Sequence, residues 1–174
     1  MTIDTFRLAT VNDVEALVAL VNNAYHPPIN PHSWTDETRF VSGTRTDSQA
    51  VSQLLAKDHS VILLGIVDHT LVACVHLEHS ANQVQLGMLA VTPTLQNVGL
   101  GKQMLKQAEA YAVRYFKPEK IVLIVIALRT ELIAFYLRRG YQNTGATIAY
   151  ATLCGATCDA TIAGLEFAVL EKYL

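Results

Sequence analysis

Apolar residues recur along this chain at two spacings, and each spacing predicts a type of element. Recurrence every three to four positions, typical of an amphipathic helix, follows the Thr10-x-x-Asp13 motif, which resembles a capping box. The same spacing appears in three later segments, and Thr130 and Gly140 are expected to begin and end the last one. The predicted helices cover residues 14–25, 47–57, 104–115 and 130–139.

Runs rich in β-branched and apolar residues predict the strands. Two of these runs are separated only by Asp68-His69-Thr70, so they are expected to form a hairpin. The run at 121–127 is apolar on both faces, which is typical of a central parallel strand covered by helices. The predicted strands cover residues 6–8, 61–67, 71–77, 84–91, 121–127, 141–153 and 165–173. Together the elements predict one mixed α/β domain over residues 1–174.

Composition narrows the classes of function. A net charge of −2 over 174 residues gives no broad attraction to nucleic acid or to an anionic membrane surface. The longest apolar run is far shorter than the ~20 residues of a membrane-spanning helix, and no secretory signal is visible, so we expect a cytoplasmic protein. The cysteines, Cys74, Cys154 and Cys158, are expected to be reduced thiols, and we predict no metal site.

The segment from 85 to 102 carries the first chemical signal. It reads as a strand, a break at Thr92-Pro93, a loop with two glycines and the start of a helix. The first turn of a helix leaves N–H groups unpaired and carries partial positive charge, which favours an anion such as phosphate. A dinucleotide fingerprint is excluded because Met104 stands where the third glycine belongs, and a Walker A loop because Gln96 and Gln103 replace its glycine and Ser/Thr.

Two motifs in this order resemble those of one family. Gln96-x-x-Gly99-x-Gly101, after Leu89-Ala90-Val91, is similar to the acyl-CoA-binding segment of the GNAT superfamily of N-acyltransferases. Residues 131–141, Glu-Leu-Ile-Ala-Phe-Tyr-Leu-Arg-Arg-Gly-Tyr, are similar to the Ala-x-x-Phe-Tyr-x-x-x-Gly-Phe/Tyr segment late in the same fold. The similarity is greatest to versions written Arg-x-Glu-Leu-x-x-Phe-Tyr-x-Arg-Arg-Gly-Tyr, which begin here at Arg129. The spacing leaves room for one helix and one strand between the motifs, as in a βαβ unit.

The resemblance implies a fold and a set of site residues. The fold is a mixed, mostly antiparallel central sheet with helices on both faces and a βαβ acyl-CoA-binding core. The family pattern places the pyrophosphate of acetyl-CoA on the backbone of residues 96–102 and the pantetheine arm along residues 88–91. Backbone N–H groups near Leu89 would bind the thioester oxygen. The implied cofactor-binding residues are Met88, Leu89, Ala90, Val91, Gln96, Asn97, Val98, Gly99, Leu100, Gly101, Lys102, Arg129 and Phe135.

Catalytic roles follow from the same resemblance only in part. Tyr136 matches the tyrosine that is assigned as the general acid for the departing thiolate, and many members have Asn where Arg129 stands. Members often carry a basic carboxylate on the strand that matches 84–91, but this strand has no Asp or Glu. The base is therefore open among Glu78, His76, Glu37 and a water chain.

Two regions keep alternative interpretations. The polar segment 26–46 is either a surface connection or a wall of the substrate site. Its candidate residues are Tyr25, Trp34, Glu37, Arg39, Phe40 and Arg45. Arg138 and Arg139 either bind the adenosine phosphate or interact with the C-terminus of the last predicted helix.

The predicted function is transfer of an acetyl or other acyl group from acetyl-CoA to a primary amine by direct attack on the thioester. The alternative is a domain of the same fold that binds acyl-CoA as a sensor or scaffold with little turnover. The acceptor is open between a metabolite, an antibiotic and a protein, and a homodimer formed through the C-terminal strands is a further open alternative.

Overall fold

The computed structural model describes residues 1–27, 33–154 and 160–174, and its centre is a seven-stranded sheet. The strands are β1 Thr5–Leu8, β2 Ser60–Val67, β3 Thr70–Ser80, β4 Gln83–Val91, β5 Lys120–Ile126, β6 Gln142–Ala149 and β7 Glu166–Tyr173. Their order in the sheet is β1-β2-β3-β4-β5-β7-β6. Every neighbouring pair is antiparallel except β4 and β5. The predicted hairpin is confirmed as β2 and β3, with Asp68 and His69 in the left-handed region.

Helices pack on both faces of this sheet, as the resemblance implied. The helices are α1 Val14–Tyr25, α2 Ser48–Ala56, α3 Leu100–Tyr111, α4 Thr130–Leu137 and α5 Tyr150–Cys154. Side chains alternate along each strand, so Ile62 and Leu64 of β2 pack with α1 whereas Leu63 packs with α3. α3 connects the parallel strands β4 and β5, which completes the predicted βαβ unit.

Local signals set several of the predicted boundaries. The Thr10 N–H donates to Asp13 Oδ2 at 2.8 Å, as in a capping box. Asp47 caps α2 by accepting a hydrogen bond from the Ala50 N–H at 2.7 Å. α3 passes into a π-helical turn, Ala112–Phe116, before Pro118.

Two predicted boundaries are wrong. Thr130 is the first residue of α4 and not its cap, because the Arg129 carbonyl already accepts hydrogen bonds from the Leu132 and Ile133 N–H groups. The strand predicted at 141–153 ends at Ala149, and α5 follows. The pairing with β7 reaches only to Tyr150, whose N–H donates to the Leu165 carbonyl, because Gly164 has φ +68 and gives the following residues no extended partner. Cys158 lies outside the described residues, and Cys74 is a buried free thiol.

The parallel strands separate before they end. β4 pairs with β5 only over residues 83–86, and Met88, three residues before the end of β4, has φ +50. The pairing of β4 with β3 shifts in register at the same place. A positive φ at a residue other than glycine is uncommon and costs energy, so it marks a local irregularity of the strand. The result is an opening between the carboxyl ends of β4 and β5.

Candidate active site

A cleft of about 290 Å³ lies at this opening. Leu89 and Val91 of β4 form one wall, and Phe135 and Tyr136 of α4 form another. The residues in its lining that the sequence had singled out as site residues are Leu89, Val91, Gln96, Asn97, Gly99, Gly101, Lys102, Phe135 and Tyr136. The two motifs, about 35 positions apart in sequence, therefore meet at one cleft.

The loop between β4 and α3 presents a helix N-terminus to the cleft. Gly99 is the N-cap residue of α3 with φ +92, a conformation that side chains with a Cβ rarely adopt. A Cβ at Gly101 would lie 3.8 Å from Val91 Cγ2 and 4.0 Å from Phe135 Cζ, so this glycine lines the cleft without a clash. The cations of Lys102, Arg138 and Arg139 share the cleft. Backbone N–H groups and cations together favour a phosphate-bearing ligand.

The side chain of Gln96 is hydrogen bonded to protein groups and not left free for a ligand. Its amide donates to the Val91 carbonyl at 3.0 Å, to Ser33 Oγ at 3.1 Å and to Thr35 Oγ1 at 3.3 Å. Its Oε1 accepts from the Trp34 N–H. The side chain therefore ties residues 33–35 to the end of β4, and only its backbone is available for a ligand in the cleft.

Two buried phenols lie at the inner end of the cleft. Tyr25 of α1 donates its hydroxyl hydrogen to the Leu89 carbonyl at 3.2 Å. Tyr136 packs edge-to-face against Phe135 and Tyr141, at centroid distances of 5.2 and 5.7 Å. Burial raises the pKa of both tyrosines, and the cations of Arg129 and Arg139 only partly oppose this for Tyr136. Tyr136 is therefore protonated at neutral pH.

Arg129 lies outside the lining of the cleft and holds the 33–37 segment instead. It is almost completely buried, with 1% of its side chain exposed. It donates to the Trp34 carbonyl at 2.6 Å and to the Thr35 carbonyl at 3.4 Å, and its Nε pairs with Glu131 at 2.6 Å. A guanidinium offers five donors in a fixed plane, which suits several acceptors at once.

Four other predicted cofactor residues also lie outside the lining. Ala90 and Leu100 are buried in the two core clusters, and Met88 packs against the cluster around α1. Val98 is half exposed on the loop. Strand and helix alternation explains this result, because neighbouring residues of one element point to different sides.

Some residues of the cleft were not assigned to it from the sequence. Trp34 and Tyr25 were only unranked candidates, and Thr35 and Leu132 were missed. Leu132 lies four residues before Tyr136, so helical spacing could have found it. The Arg139 guanidinium lies 3.4 Å from the centroid of the Phe135 ring and donates to the Phe135 carbonyl, so it both contacts its helix and lines the cleft.

The three candidate base side chains differ in their position relative to the cleft. No Asp, Glu or His lines the cleft among the residues that the structure describes. Glu78 pairs with Lys57 at 2.9 Å, and His76 Nε2 is hydrogen bonded to Ser60 Oγ at 2.8 Å. Burial lowers the pKa of His76 to about 4. Glu37 differs from both because it lies in the segment that Arg129 and Gln96 hold at the cleft.

Comparison with known families identifies the class of protein. The family model for the acetyltransferase (GNAT) family matches residues 24–141. The chain therefore belongs to the GNAT family of acetyltransferases. No curated protein matches the chain in the corresponding sequence search.

Solved structures agree on the fold. The ribosomal-protein-alanine N-acetyltransferase of Brucella melitensis is 20% identical with a TM-score of 0.72, covering 98% of this chain and 99% of that chain. The PaiA N-acetyltransferase of Thermoplasma acidophilum, in complex with coenzyme A, is 17% identical with a TM-score of 0.69, covering 98% of each. The ribosomal-protein-S18-alanine N-acetyltransferase of Escherichia coli is 14% identical with a TM-score of 0.70, covering 97% and 92%.

Metal-binding clusters and membrane-spanning helices are both absent from the described residues. No group of three or more His, Cys, Asp or Glu side chains is arranged to hold a metal ion within residues 1–27, 33–154 and 160–174. Within the same ranges, no helix has the length and apolar character needed to cross a membrane.

Proposed function

We propose that this protein transfers an acetyl group from acetyl-CoA to a primary amine. One observation carries the proposal: the N-terminus of α3, three cations and a buried phenol converge on one cleft where β4 and β5 separate. An acyl-CoA has a matching distribution of chemistry, with phosphates at one end and a thioester at the other. The whole of residues 1–174 would act as one catalytic domain.

The residues of the cleft fit two parts of an acyl-CoA, its pyrophosphate and its pantetheine arm with the thioester. Backbone N–H groups of residues 96–102 bind the pyrophosphate, assisted by Lys102 and by Arg138 and Arg139. Residues 88–91 run along the pantetheine arm, and the N–H of Leu89 binds the thioester oxygen beside the irregularity at Met88. The bound acyl-CoA supplies an activated carbonyl carbon.

Tyr136 has the protonation state that a proton donor needs. Its hydroxyl keeps its proton at neutral pH, because burial raises the pKa. A thiolate that leaves beside it receives a proton, and positioned acid catalysis of this kind contributes about 10²–10⁴-fold to a rate. Tyr25 stays bonded to the Leu89 carbonyl and fixes the irregular part of β4.

The competing proposal is an acyl-CoA-binding domain with little turnover. It is motivated by the absence of a carboxylate or imidazole from the cleft lining in the described residues. The two proposals differ in one measurement, acetyl transfer to amines at neutral pH.

The test is mass spectrometry of amines incubated with acetyl-CoA and the purified protein. Suitable acceptors are glycinamide, spermidine and a peptide that begins with alanine, the last because two structural neighbours are named as ribosomal-protein-alanine N-acetyltransferases. We expect a mass increase of one acetyl group for at least one acceptor, with release of free thiol in equal amount. Tight binding of CoA without any acetylated product would favour the sensor.

A further inference from the structure

We infer that Glu37 is the carboxylate that receives the ammonium group of the acceptor and removes its proton. This inference rests on the proposed N-acetyltransferase function and defines the substrate class as amines that are cationic in solution. An ammonium nitrogen has no lone pair, so it must lose a proton before it attacks a thioester. The cleft lining supplies no base in the described part of the chain, which directs attention to the carboxylate of the neighbouring 33–37 segment.

The backbone of Glu37 is fixed beside the inner end of the cleft. Its N–H donates to the carbonyl of Tyr25 at 2.8 Å, and its own carbonyl accepts from the Phe40 and Val41 N–H groups at 2.8 and 3.0 Å. Trp34 and Thr35, three and two residues earlier, line the cleft. Glu37 is therefore anchored to the end of α1, next to residues that line the cleft, and it is not a residue of a free surface loop.

The side chain of Glu37 is mostly buried, with 14% of its surface exposed, and its ion pair with Arg129 is longer than a hydrogen bond. Its nearest described cation is Arg129, whose Nη1 lies 3.7 Å from Glu37 Oε1, beyond hydrogen-bonding distance. Arg129 makes its closest contacts elsewhere, with Glu131 and the Trp34 carbonyl at 2.6 Å each. A carboxylate in this position retains acceptor capacity for a ligand.

The charge of Glu37 acts on both phenols of the cleft. Burial is the main cause of the raised pKa of Tyr25 and of Tyr136, and the Glu37 carboxylate raises each of them further. Both tyrosines line the cleft, so the charge of Glu37 influences groups that face a ligand there.

The groups around Glu37 act on its pKa in opposite directions. Burial raises the pKa of Glu37, Asp36 raises it further, and the cations of Arg45 and Arg129 oppose the rise. A raised pKa makes the ionised form of a carboxylate a better proton acceptor. Arg45 lies over the Tyr25 ring, at 5.3 Å from its centroid, and so belongs to the same cluster.

The reaction balances without any further reagent. Glu37 takes one proton from the ammonium group and later releases it to solvent. The freed lone pair forms the C–N bond, the C–S bond breaks, and the second proton lost by nitrogen reaches the CoA sulfur through Tyr136. The products are an amide, CoA thiol and one proton.

The test compares Glu37→Gln with Asp36→Asn. The control changes the adjacent carboxylate in the same isosteric way, and asparagine keeps the oxygen that accepts from the Thr38 N–H at 2.8 Å. Calorimetry with CoA reports donor binding, and kcat/KM is measured from pH 6.5 to 10 with the best of glycinamide, spermidine and the alanine peptide.

At about pH 7 we expect Glu37→Gln to lower kcat/KM by about 10²-fold, with CoA affinity unchanged and Asp36→Asn within about threefold of the unaltered protein. The loss of kcat/KM in Glu37→Gln should become smaller as the pH rises through the pKa of the acceptor amine, because the amine is then already neutral. Glu37→Asp, which keeps a carboxylate, should recover part of the activity. This variant also separates loss of the base from loss of folding.

The possible outcomes distinguish the role of Glu37 from the proposed N-acetyltransferase function. Normal transfer by Glu37→Gln, or a loss that stays constant across the pH range, overturns the role of Glu37 alone. Equal losses in Glu37→Gln and Asp36→Asn overturn it too, because a general charge effect would then suffice. No transfer by the unaltered protein to any of the three amines overturns the proposed function and this inference together.

Discussion

Replacing Arg129 by methionine tests whether this residue holds the wall of the cleft or contacts a ligand. Arg129 is buried, and its partners stay in place after the change, so a buried ion pair is broken and not replaced. The variant loses a charge-assisted hydrogen bond to the Trp34 carbonyl at 2.6 Å and a longer one to Thr35. It also leaves Glu37, which is mostly buried, without its nearest described cation.

The expected cost follows from these contacts. A hydrogen bond from a charged group contributes about 1.5–3 kcal/mol, and breaking a buried pair costs about 3–5 kcal/mol. Glu131 adds little, because 45% of its side chain is exposed and water can replace the arginine. We therefore expect Arg129→Met to lower the free energy of unfolding by about 3–5 kcal/mol. For a chain of this size that corresponds to a fall in Tm of roughly 6–20 °C.

Thermal unfolding followed by circular dichroism measures this effect, and Arg138→Met is the matched control. Arg138 is exposed and lines the cleft, so its loss should weaken CoA binding while leaving Tm within about 2 °C. Arg129→Lys should fall between, because one ammonium cannot reproduce the planar set of donors. A Tm for Arg129→Met that equals the unaltered protein, with CoA binding reduced instead, would show that Arg129 acts on the ligand.

Three further predictions concern the loop, the phenol and the buried histidine. Gly99→Ala should lower the free energy of unfolding by about 1–2 kcal/mol in chemical unfolding, because the φ of Gly99 is +92, whereas Gly101→Ala should leave it unchanged. Equal costs for the two variants would contradict the special backbone role of Gly99. Tyr136→Phe should lower kcat by about 10²-fold in a thiol-release assay with unchanged CoA affinity, and an unchanged kcat would exclude proton donation. Burial lowers the pKa of His76 from 6.5 to about 4, so the neutral ring is favoured in the folded state. The stability that the neutral His76 ring contributes is fully present above pH 6.5 and is lost as the pH falls towards 4, by up to about 3 kcal/mol. His76→Gln should therefore flatten this part of the curve of unfolding free energy against pH. A curve that is not flattened would assign the acid sensitivity to other groups.

The order of strands and helices could be predicted from the sequence because its signals are local. The hairpin turn at Asp68-His69, the Asp47 cap and the spacing within α1 each involve residues close together in the chain. The glycine loop is local too, since Gly99 and Gly101 mark the start of α3 in either a ligand site or an ordinary turn. Family resemblance then joined this loop to the segment around Tyr136.

The wall of the cleft could not be predicted in the same way, because distant residues form it. The Trp34 N–H bonds to Gln96, 62 positions away, and its carbonyl accepts from Arg129, 95 positions away. No periodicity links such residues. The sequence therefore predicts cofactor contacts for Arg129 and for the backbone of Gln96, and it gives no sign that the side chains of both residues hold the 33–37 segment.

The end of β6 shows the same limit in the fold. The residues before Tyr150 have a strand composition, and local propensity alone extends the strand to residue 153. The hydrogen bond from the Tyr150 N–H to the Leu165 carbonyl continues the β6–β7 register, but Gly164, the next residue of the partner segment, has φ +68 and is not extended. Propensity fails here because the extent of the partner strand decides where β6 ends.

The most direct test of the account is calorimetric titration of the protein with acetyl-CoA, repeated with Gly101→Val. Valine would place branched carbons beside Val91 and Phe135 in the cleft, while Gly101→Ala controls for the loss of glycine itself. We expect saturable binding of acetyl-CoA at one site per chain of the unaltered protein. Gly101→Val should lose at least about tenfold in affinity while its Tm stays unchanged. Absence of binding by the unaltered protein, or equal affinity in all three, would contradict the assignment of this cleft to acyl-CoA.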